Sequence, residues 1–304
     1  HLTRLCPRFG GRTFQGMPRR FRRAVYAMDS TVIRLVANCI DWARHRRKKA
    51  AAKLHLRLNL QSFLPAFALV RTAGHHDNRC ARELCAHLGA GEVVVFDKAY
   101  LDFVHLWDLT RRGVFWVSRS KSNLRYTVKK RLARGRRGKI VRDDLIVLAV
   151  AASGVKYPQP LRLVRAIVKV EGREREMEFL TNNLEWAASS IAELYKSRWE
   201  IEVFFKEIKQ TLQLCDFLGH NENAVLWQVW TALTLYVLLR FLAFANGWQH
   251  GFKRFFCLLR SSLWDGFVVA ALASLCGTAR GAPTMRAAPE QAYLPGFGPL
   301  SLPT

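Results

Sequence analysis

Apolar residues recur in this chain with two periods, and the exchange between them outlines its elements. Residues 24–35 are rich in β-formers, with Asp29 and Ser30 among them. Residues 53–60 alternate as a strand does, with Leu54, Leu56, Leu58 and Leu60 on one side. Residues 78–88 read as a helix that Gly89 and Gly91 end. Residues 92–96 form a buried-type strand of β-branched and aromatic residues that runs into Asp97. Residues 101–112 suit a helix closed by Gly113, and 114–118 a further strand. Strands alternating with helices predict an α/β core. From 119 to 183 the pattern predicts strands alone, over 145–149, 161–170 and 177–181, between turns bearing Gly or Pro. Helix returns over 188–214, 224–245 and 252–275, and a tail with five prolines from Pro283 to Pro303 comes last. No internal repeat is visible. The expected organisation is an arm at 1–23, a core begun over 24–118, a β-rich insertion at 119–185, a helical second part at 186–280 and a Pro-rich tail at 281–304.

Charge changes the picture most. With 48 Lys and Arg against 23 Asp and Glu the formal charge is +25, on a chain of 304 residues that is half apolar. Such a body folds, and its self-repulsion points to a polyanionic partner, nucleic acid before anionic membrane. The charge is clustered: Asp29 is the first acid, and the acid-free window between Asp108 and Asp143 holds ten cations from Arg119 to Lys139. A second run spans 44–49. Contacts of this kind position a DNA backbone rather than read bases, although a charge run can also be only a solvated face. The seven cysteines are scattered with no CxxC pair, which argues against a zinc ribbon or disulfide scaffold and for reduced thiols in a cytosolic protein. Residues 225–245 are apolar enough to span a membrane, but Gln228, Thr231, Thr234 and Arg240 interrupt them, so a core helix is expected and no membrane partner.

The scarce acids are the candidates for chemistry. Asp29 lies mid-strand between apolar residues, where a carboxylate is costly unless paired or metal-bound. Asp97 ends a strand, where α/β sheets bind ligands, or else caps the helix after it. Glu202 lies in the helix over 194–209. At about 100° per residue, Tyr195, Arg198, Glu202 and Lys209 fall within roughly 60° of one another, beside a stripe of Leu194, Ile201, Phe204, Phe205 and Ile208. Glu202 could equally be one of several acids, with Glu200 and Glu207, on a solvated face. Three carboxylates converging from two strands and a helix would suit a pair of Mg²⁺ ions, with Mn²⁺ able to substitute, and phosphodiester chemistry. His75, His76 and Asp77 lack partners for a metal site in the sequence, and His55 alternates with the leucines of its strand as a structural residue would.

The spacing Tyr195-x2-Arg198-x3-Glu202-x6-Lys209, the Asp29-Ser30-Thr31 strand and Phe96-Asp97-Lys98-Ala99-Tyr100 together resemble the DDE transposases of the insertion sequence 4 family. Lys53-Leu54-His55-Leu56, His76-Asp77 and Ser120-Lys121-Ser122-Asn123 add to the likeness, which covers residues 24–245. The resemblance implies a ribonuclease H-like core with a β-strand insertion between the second aspartate and the glutamate. It implies that Asp29, Asp97 and Glu202 are catalytic metal ligands and that Tyr195, Arg198 and Lys209 contact element-end DNA. Lys206, Arg119 and Lys121 join the expected DNA contacts. Relatives form a hairpin at the element end and stack a flipped base on tryptophan, a role for which Trp199 is the first candidate and Trp116 the second. The implied activity is metal-dependent cleavage at element ends, then strand transfer of the 3′-hydroxyl into target DNA. Double-stranded DNA would be the substrate and a homodimer would synapse two ends, in the bacterial cytoplasm at the nucleoid. The family usually carries an N-terminal DNA-binding region where only residues 1–23 stand here. With a chain that opens at His1, truncation is therefore expected, and a decayed, non-enzymatic DNA binder is the alternative. A host nuclease with the same core would need the acids but not the Tyr195, Arg198 and Lys209 face.

Overall fold

The computed structural model describes residues 23–35, 44–45, 49–72, 77–133, 138–170, 172–214, 217, 219, 221–246, 248 and 250–263. The expectations for the arm at 1–22, for Arg46 to Lys48, for His75 and His76, for residues 134–137 of the basic window and for the Pro-rich tail lie outside them. The described residues fall into two compact units, one running to Phe241 and one from Leu242.

The first unit is built on a ten-stranded mixed sheet. Its strands are β1 (Val25–Leu35), β2 (Arg44–His45), β3 (Lys49–Asn59), β4 (Leu64–Thr72), β5 (Val93–Phe96), β6 (Phe115–Arg119), β7 (Tyr126–Ala133), β8 (Ile140–Leu148), β9 (Leu161–Val170) and β10 (Arg173–Thr181). Their order across the sheet is β2-β3-β1-β5-β6-β10-β9-β8-β7, with β4 also paired to β3. β1 is antiparallel to β3 and parallel to β5, which is parallel to β6. An antiparallel unit leading into two parallel crossovers, with helices on both faces, is the mixed α/β core that the alternation of strands and helices predicts, in the ribonuclease H-like arrangement that the resemblance implies.

The side-chain period of two decides which helices each strand meets. Met28, Phe96 and Leu180 join the core under α1 (Asp77–Leu84) and α2 (Phe103–Arg111). Their neighbours Asp29, Asp97 and Phe179 turn to the other face, where α4 (Ala188–Ser197) and α5 (Glu200–Lys206) lie. Both faces of β3 are buried, including His55 and Arg57, because β3 pairs on each edge and α1 packs over it. Arg57 donates to the Leu84 carbonyl at the end of α1 at 2.7 Å, which satisfies an orphan helix acceptor.

Several elements differ from the pattern. The periodicity predicts neither β4 nor β7, nor the short helix α3 (Ala151–Lys156) within the stretch expected to hold strands alone. The strands β7 to β10 do not form a separate layer: β10 pairs antiparallel with β6, so they continue the core sheet. β7 ends that sheet among the described strands, and Lys129, Lys130 and Arg131 are exposed on it, a charged edge that resists strand addition. The helix expected over 188–214 is three pieces, with a break at Arg198 and Trp199 and a π-turn at Glu207–Thr211.

α6 (Glu222–Ala245) replaces the expected 224–245 helix. It is long and apolar enough to cross a membrane by length and composition. In the first unit one side of it is buried, through Val225, Val229 and Tyr236, while Trp227 stands 75% exposed. The core helix expected here is thus buried on one side. In the second unit, Trp248 packs its ring 5.3 Å from Phe255 of α7 (Phe252–Ser262), and the part of the helix expected over 264–275 lies outside the described residues.

Candidate active site

Parallel pairing brings the two aspartates together. Met28 is in register with Phe96, so the next residue on each strand, Asp29 and Asp97, emerges side by side on the α4 and α5 face. Strand β5 ends at Phe96, and Asp97 begins a 3₁₀ turn over Lys98–Tyr100 without using its side chain as a cap. Its carboxylate instead accepts a hydrogen bond from the Tyr195 hydroxyl at 3.2 Å. The capping role falls to Asp102, which accepts from Val104 and His105 N–H at the start of α2.

Helix α4 carries Tyr195 inward, against the Phe179 ring. At its end the chain tightens into i→i+3 bonds, from Arg198 N–H to the Tyr195 carbonyl and from Trp199 N–H to that of Lys196. This turn sends the Arg198 side chain into the protein, where it is 9% exposed. Nη1 donates to Asp29 Oδ2 at 2.8 Å and Nη2 donates to Glu202 Oε1 at 2.9 Å. The guanidinium also lies 5.8 Å from the Tyr195 ring and 5.4 Å from that of Trp199.

Burial works against the Arg198 charge. Asp29, Tyr195 and Glu202 more than offset it, and its pKa lies above the usual arginine value. Asp29 is pushed up to about 6, first by burial and then by Asp97 and Glu202, against the lowering by the Ser30 N–H and Arg198. Tyr195 is pushed up to about 12 by burial and by Asp97. Tyr195 thus stays a neutral donor to Asp97 at neutral pH.

The expected residues divide accordingly. Asp29, Asp97, Tyr195, Arg198 and Glu202 are brought together by these bonds. Arg198, expected on a phosphate, is held by two of the acids. Trp199 is exposed at the break between α4 and α5, and Lys206 is exposed at the end of α5. Lys209 sits in the π-turn and donates from Nζ to the Val32 carbonyl of β1 at 2.7 Å. Arg119 closes β6, and the exposed Lys121 donates to the Leu101 carbonyl. Trp116, the second stacking candidate, is fully buried and donates from Nε1 to Thr110, so it packs the core.

Glu207, expected on a solvated face, is instead drawn into a network with Tyr236 and Arg240 of α6. Its one signal in the sequence is that Arg240 is the single charge in the apolar run over 225–245. No described group of three or more His, Cys, Asp or Glu side chains is gathered closely enough to hold a metal ion. By chemistry Asp29, Asp97 and Glu202 offer all-oxygen donors, the kind a hard divalent cation takes, although the Arg198 guanidinium stands between two of them. A site at the open end of adjacent parallel strands, with acids from two strands and a helix, marks an α/β protein of the class that binds its ligand at strand ends.

Comparison with known proteins names that class more closely. The model of the transposase DDE domain matches residues 20–238. The probable transposase of insertion sequence element IS5377 from Geobacillus stearothermophilus is 30% identical over 224 residues, 73% of this chain and 58% of that protein. The y4zB protein of Sinorhizobium fredii is 32% identical over 258 residues, 84% of this chain and 70% of that one. Transposase InsG of insertion sequence element IS4 from Escherichia coli is 24% identical over 198 residues, 62% of this chain and 43% of its own length. A cryo-EM structure of the piggyBac transposase synaptic complex with hairpin DNA matches 90% of this chain and 60% of its own, at 11% identity and a TM-score of 0.47. The chain belongs to the insertion sequence 4 family of DDE transposases, a family that generally works with divalent metal ions. It spans little more than half the length of the IS5377 relative.

Proposed function

We propose that this chain is the catalytic portion of a DNA transposase, which cleaves at the ends of an insertion element and transfers the freed 3′-hydroxyl into target DNA. The observation that carries it is the meeting of Asp29, within β1, and Asp97, at the end of the neighbouring parallel strand β5, with Glu202 tied to Asp29 through one guanidinium. In this reading Asp29, Asp97 and Glu202 would hold Mg²⁺, two ions, with Mn²⁺ able to substitute. When bound, such ions supply an activated oxygen nucleophile and neutralise the leaving oxygen of a phosphodiester. The protein's own residues do the rest. Tyr195 orients Asp97 through its hydroxyl, and Arg198 orients Asp29 and Glu202 toward each other. Trp199 offers an exposed ring to an unstacked base, and Lys206, Lys209, Arg119 and Lys121 supply positive charge to the backbone. Double-stranded DNA is then the substrate, as element ends and as target. A homodimer would hold two ends, and the bacterial cytoplasm, at the nucleoid, would be the place of work.

The test is nicking of a duplex carrying the element ends in the presence of Mg²⁺. Glu202→Gln is expected to abolish nicking while DNA binding survives, and undiminished nicking by that variant would sink the assignment. A second reading is a decayed, non-enzymatic DNA binder. It is favoured by Arg198 lying between two of the acids and by the lack of a closed ligand cluster among the described residues. Calorimetric titration separates the two. Mn²⁺ binding that is lost in Asp97→Asn supports the enzyme, and no Mn²⁺ binding by the unmodified chain supports the binder.

A further inference from the structure

Helix α5 does not end as an α-helix. It continues as the π-turn over Glu207–Thr211, where Leu212 N–H bonds back to the Glu207 carbonyl. One residue more per turn rotates the later side chains about the helix axis, and this wider turn carries Lys209 to β1, where it meets the Val32 carbonyl. Glu207 opens the turn. Its Oε2 accepts from Arg240 Nη2 at 3.1 Å and from the Tyr236 hydroxyl at 3.2 Å, while Arg240 Nε donates to that hydroxyl at 2.8 Å. Tyr236 also lies 3.2 Å from the Phe63 carbonyl. A hydroxyl has one proton, so the carboxylate and this carbonyl compete for it, and the charged acceptor is the stronger. The guanidinium stands 4.9 Å over the Phe63 ring, and Phe63 holds the left-handed backbone at φ 57° at the corner between β3 and β4.

One arginine therefore fastens the π-turn, α6 and a sheet corner together. A largely buried ion pair of this kind is a poor source of net stability, because desolvating both charges cancels most of their attraction. What it supplies is a definite geometry. An apolar contact would let the turn relax to α-helix, and Lys209 would then leave the Val32 carbonyl of β1, three residues along the strand from Asp29.

We propose that Glu207, Tyr236 and Arg240 are positioning residues for Lys209: the buried pair holds the π-turn, and the π-turn aims the lysine at the DNA backbone. This rests on the reading of Lys209 as a DNA contact given under Proposed function. The experiment measures binding of a labelled blunt-ended duplex of arbitrary sequence across a range of salt, beside thermal melts. Lys209→Gln is expected to weaken binding several-fold and to lower the salt slope by about 0.9, the share of one phosphate. Arg240→Met should do the same, and the double variant should be no weaker and no flatter than either single one. Arg240→Lys should recover part of the slope. A merely structural role would lower the melting point and the active fraction but leave the slope unchanged. Should Arg240→Met fail to fold, Glu207→Gln, which keeps the Tyr236 hydrogen bond, carries the same comparison. A wild-type slope in the Arg240 and Glu207 variants, or losses that add in the double variant, would overturn the proposal and leave the DNA reading intact. Lys209→Gln binding like the wild type would instead remove the premise itself.

Discussion

Arg198 is the residue on which the site turns. Its planar fork reaches Asp29 and Glu202 at once, with two N–H groups serving two carboxylates. The two partners are not equivalent. Asp29 is 21% exposed and Glu202 is 45% exposed, so the Asp29 bond is the desolvated one. Arg198→Gln should cost about 3 kcal/mol at neutral pH, because it leaves a buried carboxylate unpaired. The cost should shrink toward acid pH as Asp29, already raised to about 6, takes up a proton. Glu202→Gln should cost less than about 1 kcal/mol, as expected for an exposed i,i+4 pair. Urea denaturation of both variants at two pH values checks the contrast.

Among the elements, α2 carries a pH dependence of its own. Asp102 caps its first turn, and His105, one turn in, is buried with no hydrogen bond at Nε2. Burial, helped by Arg82 and Arg112 against Asp102 and Asp108, holds His105 down at about 4. The unfolded chain therefore binds a proton between pH 6.5 and 4 that the folded chain refuses. Stability contributed by the neutral imidazole is present above pH 6.5 and lost as pH falls toward 4, by about 3 kcal/mol in all. His105→Leu should flatten this limb of a plot of urea midpoint against pH. The same segment also supplies Thr110, whose hydroxyl accepts from Trp116 and Asn182 and meets Tyr157, so α2, β6, the end of β10 and the residue after α3 share one polar knot.

For the molecule as a body, the β-rich stretch is part of the frame that holds α4, the helix that carries Tyr195. Arg162 on β9 makes a two-pronged, buried bond to Asp143 on β8 and also donates to the Trp186 carbonyl, just before α4 begins. α4 packs directly against β9. Arg162→Met should therefore cost about 3 to 5 kcal/mol by stranding Asp143, and should loosen Tyr195 and Arg198 with it. Measurement of stability together with DNA nicking would reveal both effects. A net charge of +25 makes a second expectation at this scale. Replacing the exposed Lys129 and Arg131 by Gln should lower the magnitude of the DNA-binding salt slope by about 2 if both meet phosphates, with no change in melting temperature. An unchanged slope would mean that these cations serve only to blunt the sheet edge.

Much of the fold and the site is legible in the residues. Alternation and β-branched runs mark β1, β5 and β6, the glycines at 89, 91 and 113 close the elements between them, and a lone acid within the first strand and another at the end of β5 single out Asp29 and Asp97. Glu202 with its cations is likewise visible at helical spacing. Such signals are local, since a period of two or 3.6 is set by the backbone of a few consecutive residues. Features that depend on partners far away in the chain leave no such mark. That β10 lies beside β6 and so joins the β-rich stretch to the core sheet, that β4 covers the outer edge of β3, and that Arg240 reaches Glu207 are long-range choices made by packing. The inward turn of Arg198 is the sharpest case. Helical spacing puts it on a face with Glu202, but a tightened turn and a buried Asp29 pull it off a phosphate-facing surface and into the acids. The residue types carried the chemistry, and the tertiary contacts assigned each charge its partner, because the cost of burying a charge depends on what stands beside it.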